Sequence, residues 1–420
     1  MSHPLRVAIV ARAVMPLHGF GGLERSVRDL VGHLAARGVE VTLIVPPPRV
    51  RRESGVDALT SPRITIRHVP YLTFPLANRR GTTVIDRSTS YLLYGLRAGR
   101  LAASLARSGQ VDLIQGFGAS LLGAARRSCP VPLVLNPQGL EEFGATGSAP
   151  RGLKNLGYAP LRWAVRRAAR AATAIIATDR ALEPMVARHL QPRAGQLVTI
   201  PNGIDLKELG AMAGAADGAL LRQRHGIAAD AFVLLSVGRL EQNKGFDVLA
   251  DALGRAVVDS PLSDRAWRWV IVGTGPFRRD IEAVIDRHGL AKCVVWAGRA
   301  SEHDLHAWYE SASLFVHPTR YEGSSLVTLE AMAHKRAVIA TRAGGIPDKV
   351  QAGINGWLVE PDDAPGLAAA LIDAASDRAR LTEMGARGRA IVEAHFAWPV
   401  LADQHIALYQ SLLNQRTSAR

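Results

Sequence analysis

Residues 5–11 read LRVAIVA and open the stretch that decides the fold. This short apolar run, rich in β-branched residues, predicts a β-strand. A glycine-rich loop follows it, residues 23–37 show the apolar spacing of a helix, and residues 39–45 read VEVTLIV. Strand, helix and strand in this order predict a βαβ unit, and near-continuous apolar strands are typical of a parallel sheet covered on both faces.

The same alternation continues along the whole chain. In the N-terminal half it predicts further strands at residues 111–115, 131–135, 174–177 and 197–200, and a helix at 161–172. A second series of predicted strands lies at residues 231–238, 269–273, 294–296, 314–316 and 337–340. Two series of strands with helices between them indicate an α/β protein with two sheet-forming domains.

The segments between strands suggest where the domains begin and end. Residues 205–230 carry glycines among alanines and show no strand pattern, so we place the hinge there. The predicted domains are residues 1–205 and 206–399, followed by an amphipathic last helix at 400–413. Residues 46–75, which begin with three prolines, are predicted to be an irregular surface excursion.

Length and composition limit the possible classes. A chain of 420 residues is expected to hold two or three domains at roughly 150 residues each, and 48% hydrophobic residues exclude a disordered protein. No apolar run approaches the roughly 18 residues that span a bilayer, and no signal peptide is recognisable, so we expect a cytoplasmic protein. Cys129 and Cys293 are too few for a disulfide framework or a four-cysteine zinc site, and are predicted to be buried.

The net charge of +14 is confined to one half of the chain. Residues 1–205 carry 27 basic and 12 acidic side chains, whereas residues 206–420 carry 24 and 25. This asymmetry indicates that the N-terminal half meets an anionic partner, such as a membrane surface, a nucleic acid or an anionic acceptor. The alternative is an arginine bias produced by a genome rich in G and C, since only six of the 51 basic residues are lysines.

Polar turns follow three of the predicted strands, at the sheet edge where parallel sheets bind ligands. The first, Gly21-Gly22, lacks the G-x-G-x-x-G pattern of dinucleotide-binding proteins, which disfavours an NAD enzyme. The second places Arg239 and Lys244 after a buried strand. A guanidinium and an ammonium group can clamp a diphosphate there, and solvated loop charges are the alternative.

The third turn contains Glu322, Gly323, Ser324 and Ser325 and precedes a predicted helix. The N–H groups at the start of that helix can bind a phosphate, and Glu330 lies two turns inside it. Because residues eight apart do not share a helix face, the two carboxylates are predicted to address different parts of one ligand.

Six motifs occur in the order found in the retaining family-4 glycosyltransferases, which the chain resembles over essentially its whole length. The motifs are Gly21-Gly22; Asn202-Gly203-Ile204-Asp205; Val237-Gly238-Arg239-Leu240 with Lys244-Gly245; Gly273-Thr274-Gly275-Pro276; the pair Glu322 and Glu330, spaced E-x7-E; and Gly344-Gly345-Ile346-Pro347. The resemblance implies the GT-B fold, in which two Rossmann-like, doubly wound parallel-sheet domains face each other across a cleft. It also implies that the acceptor binds mainly to the N-terminal domain and the nucleotide sugar to the C-terminal domain, and that the last helix returns to the first domain.

The resemblance assigns roles to individual residues as well. Arg239 and Lys244 would bind the donor diphosphate and stabilise the leaving group, Glu322 would lie near the donor sugar, and Glu330 would bind the ribose hydroxyls. The other residues implied in donor binding, several through backbone N–H groups that meet the β-phosphate, are Gly22, Gly275, Gly323, Ser324, Ser325 and Leu326.

No Asp-x-Asp sequence occurs, which fits a metal-independent enzyme without a cofactor and with a UDP- or GDP-linked sugar as co-substrate. One position departs from the family pattern, because Gln138 stands where many relatives have a histidine. Glutamine does not titrate near neutral pH, so Gln138 is predicted to act in catalysis through hydrogen bonds alone. Glu141 and Glu142 follow and could supply a carboxylate to the site; the alternative is the solvated start of a helix.

One basic helix of the N-terminal half is a candidate for membrane contact. Arg162, Arg166 and Arg170 fall on one helical stripe beside Trp163, as in segments that bind anionic headgroups. The alternative is a solvated cationic face with Trp163 packed in the core.

These observations predict a retaining hexosyltransferase at the inner face of the cell membrane, with a lipid-linked or growing glycan acceptor in bacterial surface polysaccharide or glycolipid synthesis. The alternatives are an enzyme that makes a small soluble glycoside or disaccharide, a basic nucleic-acid-binding protein, and a sugar-nucleotide binder without activity. No helix-turn-helix signature or basic-aromatic stretch supports nucleic-acid binding. The intact Arg239, Lys244, Glu322 and Glu330 disfavour a lost activity.

Overall fold

A computed structural model describes residues 3–19, 21–48, 59–72, 83–125, 129–144, 153–257 and 266–418. The chain divides into two compact units. One runs to Asn202 and also includes the segment from Trp398 onward, whereas the other spans Gly203–Ala397. Each unit is built on its own parallel sheet, which confirms the prediction of an α/β protein with two Rossmann-like domains.

The first unit holds a seven-stranded parallel sheet in the order β3-β2-β1-β4-β5-β6-β7. Its strands are β1 (Arg6–Val10), β2 (Glu40–Val45), β3 (Ile64–His68), β4 (Leu113–Phe117), β5 (Leu133–Asn136), β6 (Ala174–Ala177) and β7 (Leu197–Thr199). The helices described between them are α1 (Gly22–Ala36), α2 (Thr83–Ser88), α3 (Ser90–Arg107), α4 (Leu153–Gly157), α5 (Ala159–Ala171) and α6 (Glu183–Leu190).

The second unit holds a six-stranded parallel sheet in the order β10-β9-β8-β11-β12-β13. Its strands are β8 (Phe232–Val237), β9 (Trp267–Val272), β10 (Val294–Gly298), β11 (Leu314–His317), β12 (Ala337–Thr341) and β13 (Gly356–Val359). The helices described in this unit are α7 (Leu206–Met212), α8 (Ala215–Arg224), α9 (Phe246–Ala256), α10 (Arg278–Arg287), α11 (Glu302–Ser311), α12 (Leu326–Ala333), α13 (Ala364–Ser376) and α14 (Arg378–His395).

The central strands are buried on both faces, which explains their continuous apolar sequences. Val7, Ile9 and Val10 of β1 are fully buried, as are Phe232 and Leu235 of β8. Helices cover both sides of each sheet, so residues that point in either direction along these strands meet apolar side chains.

The last helix, α15 (Trp398–Ser418), belongs to the core of the first unit. Its residues Trp398, Leu401 and Leu412 join the same buried cluster as the strand residue Val7. Tyr409 is also fully buried, and its Oη donates a hydrogen bond of 2.6 Å to Gln115 Oε1 on β4. Hydrophobic burial and one buried polar contact therefore hold the helix in place. None of the helices in the described part of the chain is long and apolar enough to cross a lipid bilayer.

The structure corrects several local predictions. Residues 46–75 are not wholly irregular, because Ile64–His68 form strand β3 and pair with β2 at the sheet edge; residues 49–58 and 73–75 lie outside the described ones. Residues 205–230, where the hinge was predicted, contain helices α7 and α8 and lie inside the second unit, which begins at Gly203. Cys129 and Cys293 are both half-buried rather than buried.

Candidate functional site

The strand order of the second unit determines where its ligand site lies. Strands β8 and β11 are neighbours in the sheet, although the chain passes through β9 and β10 between them. Neighbouring strands whose connections run to opposite sides leave a crevice at their carboxyl ends, where open α/β sheets bind ligands. The turn after β8 and the turn after β11 lie at this edge.

Lys244, His317 and Glu322 meet there. Lys244 lies in the turn after β8, His317 is the last residue of β11, and Glu322 follows five residues later. Glu322 Oε2 lies 2.5 Å from Lys244 Nζ and 3.0 Å from His317 Nε2. The structure therefore brings together the two predicted residues Lys244 and Glu322, and adds His317, which the sequence did not point to.

Burial and charge set the protonation of this cluster. Burial lowers the pKa of His317, and the positive charges of Lys244 and Lys349 add to that effect, although the hydrogen bond with Glu322 and its negative charge oppose it. The Nε2 atom of His317 donates its hydrogen to the Glu322 carboxylate. Burial alone would raise the pKa of Glu322, but the hydrogen bond from His317 and the charge of Lys244 outweigh it and hold the pKa well below its usual range. Glu322 is consequently a permanent carboxylate.

Close backbone contacts require two of the motif glycines. Gly344 has a φ of +51°, and a Cβ on it would lie 1.6 Å from the carbonyl oxygen of Glu322. A Cβ on Gly275 would lie 2.3 Å from the carbonyl oxygen of Leu240, in the turn after β8. Only glycine allows these backbones to approach so closely, so both residues shape the site without contributing a side chain.

Helix α12 begins four residues after Glu322 and presents its N-terminus at the same edge. Ser325 is the N-cap residue, and its Oγ lies 2.9 Å from Thr328 Oγ1. A Cβ added to Gly323 would meet nothing within 4 Å, so the backbone before the helix borders open space. The first N–H groups of a helix, here from Leu326 onward, have no partner within the helix and can bind an anion.

Glu330, the second carboxylate of the E-x7-E pair, lies inside α12 and is buried. Its Oε2 accepts a hydrogen bond of 3.0 Å from Tyr309 Oη on α11. The two carboxylates therefore have different surroundings: Glu322 lies before the helix, whereas Glu330 lies within the helix and accepts a hydrogen bond from the Tyr309 hydroxyl.

Arg239 and Gly22 are both predicted to bind the donor, and the structure places them in different units, Arg239 in the second and Gly22 in the first. The Arg239 side chain is 78% exposed, and its guanidinium pairs with Glu241 at 2.9 Å. Gly22 is the first residue of α1 in the first unit and is exposed.

Lys349 is a further site residue that sequence reasoning missed. It is 1% exposed, and its Nζ lies 3.3 Å from Ser324 Oγ and 3.4 Å from the carbonyl oxygen of Gly345. Lysine is almost never fully buried without partners, so these contacts mark it as part of the structure around the turn. Its position two residues after the motif ending at Pro347 is the one signal in the sequence.

The first unit has a cavity of about 180 Å³ at the carboxyl ends of β1 and β4, which are neighbours in the sheet although β2 and β3 lie between them in the chain. Its lining includes Arg12 after β1, Gly118 after β4 and Gln138 after β5. The Arg12 guanidinium lies over the ring of Tyr91, 5.6 Å from its centroid. The Arg12 guanidinium, held on this aromatic face, can donate hydrogen bonds to an oxygen-rich ligand in the cavity.

Gln138 lines this cavity in a restrained conformation. Its φ is +60°, which is uncommon for a residue other than glycine, and its backbone N and its Nε2 both donate to Asn136 Oδ1 at 3.0 Å. Leu140, two residues later, also has a positive φ of 49°. Such backbone strain is concentrated at functional sites.

Glu141 and Glu142 differ sharply in their surroundings. Glu141 is 50% exposed and forms an ion pair with Arg87. Glu142 is only 8% exposed and lines the cavity, and burial raises its pKa to about 7, although the charges of Arg87 and Arg12 oppose that effect. Of the two carboxyl groups, the one buried at the cavity is therefore Glu142.

The basic helix of the sequence prediction is α5, and its tryptophan faces outward. Trp163 is 56% exposed, and the Arg167 guanidinium lies 5.8 Å from its ring centroid. The alternative that placed Trp163 in the core is wrong. Two arginines of the predicted stripe have partners within the unit: Arg162 bonds to Asn155, and Arg166 Nε donates to the carbonyl oxygen of His189.

Solved structures confirm the fold. The chain superposes on sucrose-phosphate synthase from Thermosynechococcus elongatus with a TM-score of 0.71 and 24% identity, covering 98% of this chain and 100% of that one. It superposes on HepE of Anabaena, solved in complex with UDP, with a TM-score of 0.72 and 20% identity, covering 97% and 100%. At these identities the likeness shows the GT-B fold.

Relatives of similar length are glycosyltransferases. The chain is 28% identical to D-inositol 3-phosphate glycosyltransferase 1 of Catenulispora acidiphila, over 98% of this chain and 97% of that protein. It is 26% identical to the GDP-mannose-dependent alpha-(1-6)-phosphatidylinositol monomannoside mannosyltransferase of Mycolicibacterium smegmatis, over 95% and 96%.

Two family profiles match successive parts of the chain, "Glycosyltransferase Family 4" over residues 20–208 and "Glycosyl transferases group 1" over residues 231–377. The first part contains strands β2 to β7, and the second contains strands β8 to β13. The chain therefore belongs to the family-4, group 1 glycosyltransferases and is a nucleotide-sugar glycosyltransferase of the GT-B type.

Proposed function

We propose that this enzyme is a retaining, metal-independent hexosyltransferase whose donor diphosphate binds at the edge of the second sheet. The observation that carries the proposal is the cluster of Lys244, Glu322 and His317 at the carboxyl ends of β8 and β11. Glu322 lies four residues before the N-terminus of α12. A leaving nucleoside diphosphate carries several negative charges, and an ammonium group with free helix N–H groups is what stabilises such charge.

Lys244 and Arg239 would neutralise the charge of the diphosphate, as a divalent ion does in other transferases. Lys244 is fixed by Glu322, whereas Arg239 is exposed and its pair with Glu241 is at the surface, where such pairs contribute little. Arg239 can therefore turn to a bound diphosphate at small cost. The sequence has no Asp-x-Asp motif that would bind a metal with the diphosphate, which supports the proposal.

The remaining predicted residues would divide the donor between them. Glu322, as a permanent carboxylate, would accept hydrogen bonds from hydroxyls of the donor sugar, and Glu330 from those of the ribose. The backbone of Gly323, Ser324, Ser325 and Leu326 would meet the β-phosphate, with Gly275 and Gly22 allowing close approach of the surrounding loops. We propose UDP or GDP as the carrier.

In the reaction, the bond between the anomeric carbon and the phosphate oxygen breaks, and the acceptor hydroxyl oxygen takes its place on the same face of the sugar. The hydroxyl proton passes to the leaving phosphate oxygen. Gln138 cannot take that proton, so its part would be to hold the acceptor or the donor sugar by hydrogen bonds.

The acceptor would bind in the cavity of the first unit, which Arg12, Gln138 and Glu142 line. We propose a hydroxylated acceptor that is lipid-linked or part of a growing glycan of the cell surface, because the mycobacterial relative is named for a phosphatidylinositol mannoside. A small soluble acceptor is the second candidate, since the Catenulispora relative is named for inositol 3-phosphate. Assays with both kinds of acceptor separate them.

We also propose that the enzyme is cytoplasmic and binds the inner membrane surface peripherally through α5. The exposed indole of Trp163 with Arg167 above it is the arrangement that favours an anionic lipid interface. Trp163→Ala should release the protein from anionic liposomes at low salt. Equal binding by the variant, or no binding by the wild type, would remove this part of the proposal.

A thermal-shift panel with UDP, GDP, ADP, dTDP and CMP tests the donor site. A nucleotide at 100 times its Kd should add about 2.7 kcal/mol of stability to the wild type. Arg239→Ala should lose this shift, and the control Arg255→Ala, also at an exposed and paired arginine, should keep it. Lys244→Ala should lower kcat on the order of 10² to 10³-fold. A shift that persists in Arg239→Ala would remove that residue from the site.

A further inference from the structure

Lys349 joins two loops at the edge of the second sheet. Its Nζ contacts Ser324 in the turn before α12 and the carbonyl oxygen of Gly345 in the glycine motif. The same two loops are linked by a backbone hydrogen bond from Gly345 N to the carbonyl oxygen of Gly323, at 3.3 Å. The amino group thus contacts the turn that leads into helix α12.

A buried lysine at this place is costly to maintain. Removing an amino group from water is unfavourable unless hydrogen bonds replace the lost water contacts, and at 1% exposure Lys349 has little contact with solvent. An apolar side chain of similar length would fill the same space without that cost. A role that an apolar residue cannot fulfil must therefore lie in the hydrogen bonds of the amino group.

The contact with Ser324 indicates that role. A lysine amino group can only donate, so Ser324 Oγ accepts the hydrogen bond and its own hydrogen points elsewhere. Ser324 is half-buried, whereas Lys349 is not accessible. A ligand at this edge can therefore reach the serine hydroxyl but not the lysine itself.

We propose that Lys349 is a positioning residue that orients the Ser324 hydroxyl as a hydrogen-bond donor to the β-phosphate of the donor nucleotide. Its positive charge also favours an anion at the start of α12, in addition to Lys244. This inference rests on the proposed function, because it requires the diphosphate to bind at this turn. It predicts that Lys349 discriminates between nucleoside diphosphates and monophosphates, which lack the β-phosphate.

The test compares four affinities by isothermal titration calorimetry: UDP, UMP, GDP and GMP. Lys349→Met should weaken binding of the preferred diphosphate about 10-fold to 100-fold, as expected for a lost hydrogen bond to a charged group, and leave the monophosphate unchanged. Ser324→Ala should give the same pattern, and the double variant should lose no more than either single one. Lys292→Met, at an exposed lysine, is the control.

Each outcome decides the matter. Equal diphosphate affinity in the wild type and in Ser324→Ala overturns the inference, even where Lys349→Met does not fold. Equal losses for diphosphate and monophosphate show that Lys349 only supports the fold, and also overturn it. If the wild type binds neither UDP nor GDP, the proposed donor class fails, and the inference fails with it. If the wild type binds a diphosphate and Ser324→Ala binds it equally well, only the inference fails and the proposed function stands.

Discussion

Glu142→Gln is expected to change the pH dependence of stability, because the carboxyl group is buried in the cavity of the first unit. Burial raises its pKa from 4.5 to about 7 in the folded protein. The folded protein therefore binds this proton more tightly than the unfolded chain does. Between pH 4.5 and pH 7 the unfolded chain releases this proton while the folded protein keeps it, so the wild type loses stability as the pH rises through this range.

The size of the effect follows from the difference between the two pKa values. A change from 4.5 to about 7 corresponds to a free-energy difference of about 3 kcal/mol, which is fully expressed above pH 7. Glutamine has the same shape and no charge to bury. Relative to the wild type, Glu142→Gln should therefore gain about 3 kcal/mol of unfolding free energy between pH 4.5 and pH 8.

Urea unfolding followed by circular dichroism at pH 4.5, 6 and 8 measures this difference. The matched control is Glu141→Gln, because Glu141 is the neighbouring residue but is half exposed and paired with Arg87. The control should not show the gain. A difference between Glu142→Gln and the wild type that stays constant with pH, or a Glu142 carboxyl resonance that titrates near 4.5, would show that the carboxyl group is solvated and would refute the reasoning.

Two further substitutions test the fold around the sites. Tyr409→Phe removes the hydrogen bond to Gln115 Oε1 and leaves a buried amide whose Nε2 has no partner among the described residues. The variant should therefore lose about 1 to 3 kcal/mol of unfolding free energy, measured by urea unfolding. An unchanged midpoint would show that this contact does not hold the last helix. Gly344→Ala places a Cβ 1.6 Å from the carbonyl oxygen of Glu322 and should abolish the nucleotide-induced thermal shift. The control Gly353→Ala has a similar positive φ but open space around it, so it should keep the shift and lose only about 1 kcal/mol of unfolding free energy. Equal behaviour of the two variants would show that the loop around Gly344 can move to accommodate the Cβ.

Most of the strands could be predicted from the sequence because a strand buried on both faces has an apolar local composition. Ala174–Ala177 is apolar throughout, and the strand that begins at Phe232 is apolar except for Ser236, since both faces of a parallel sheet are covered. Strand β3 escaped prediction for the opposite reason. Ile64–His68 lies at the sheet edge with exposed residues and charged neighbours, so its pairing with β2 leaves no apolar run to recognise.

The residues of the candidate site likewise include some that the sequence predicted and some that it did not. The motifs predicted that Lys244 and Glu322 serve one ligand, although 78 residues separate them. They did not point to His317, whose position at the end of a buried strand resembles an ordinary core residue. Nor did they show that Glu142, rather than Glu141, is the buried carboxyl group, because adjacent residues in a turn have no periodicity that assigns one of them to the interior.

The sequence by itself determined the two-sheet α/β architecture, the family and the positions of the glycine and charged turns after the strands. These properties depend on hydrophobic periodicity and on residues close together in the chain. Only the tertiary structure decided which side chains lose contact with water. The burial of Lys349 against Ser324, the lowered pKa of His317 and the raised pKa of Glu142 all depend on elements that are distant in sequence and adjacent in space, and such contacts leave no local pattern.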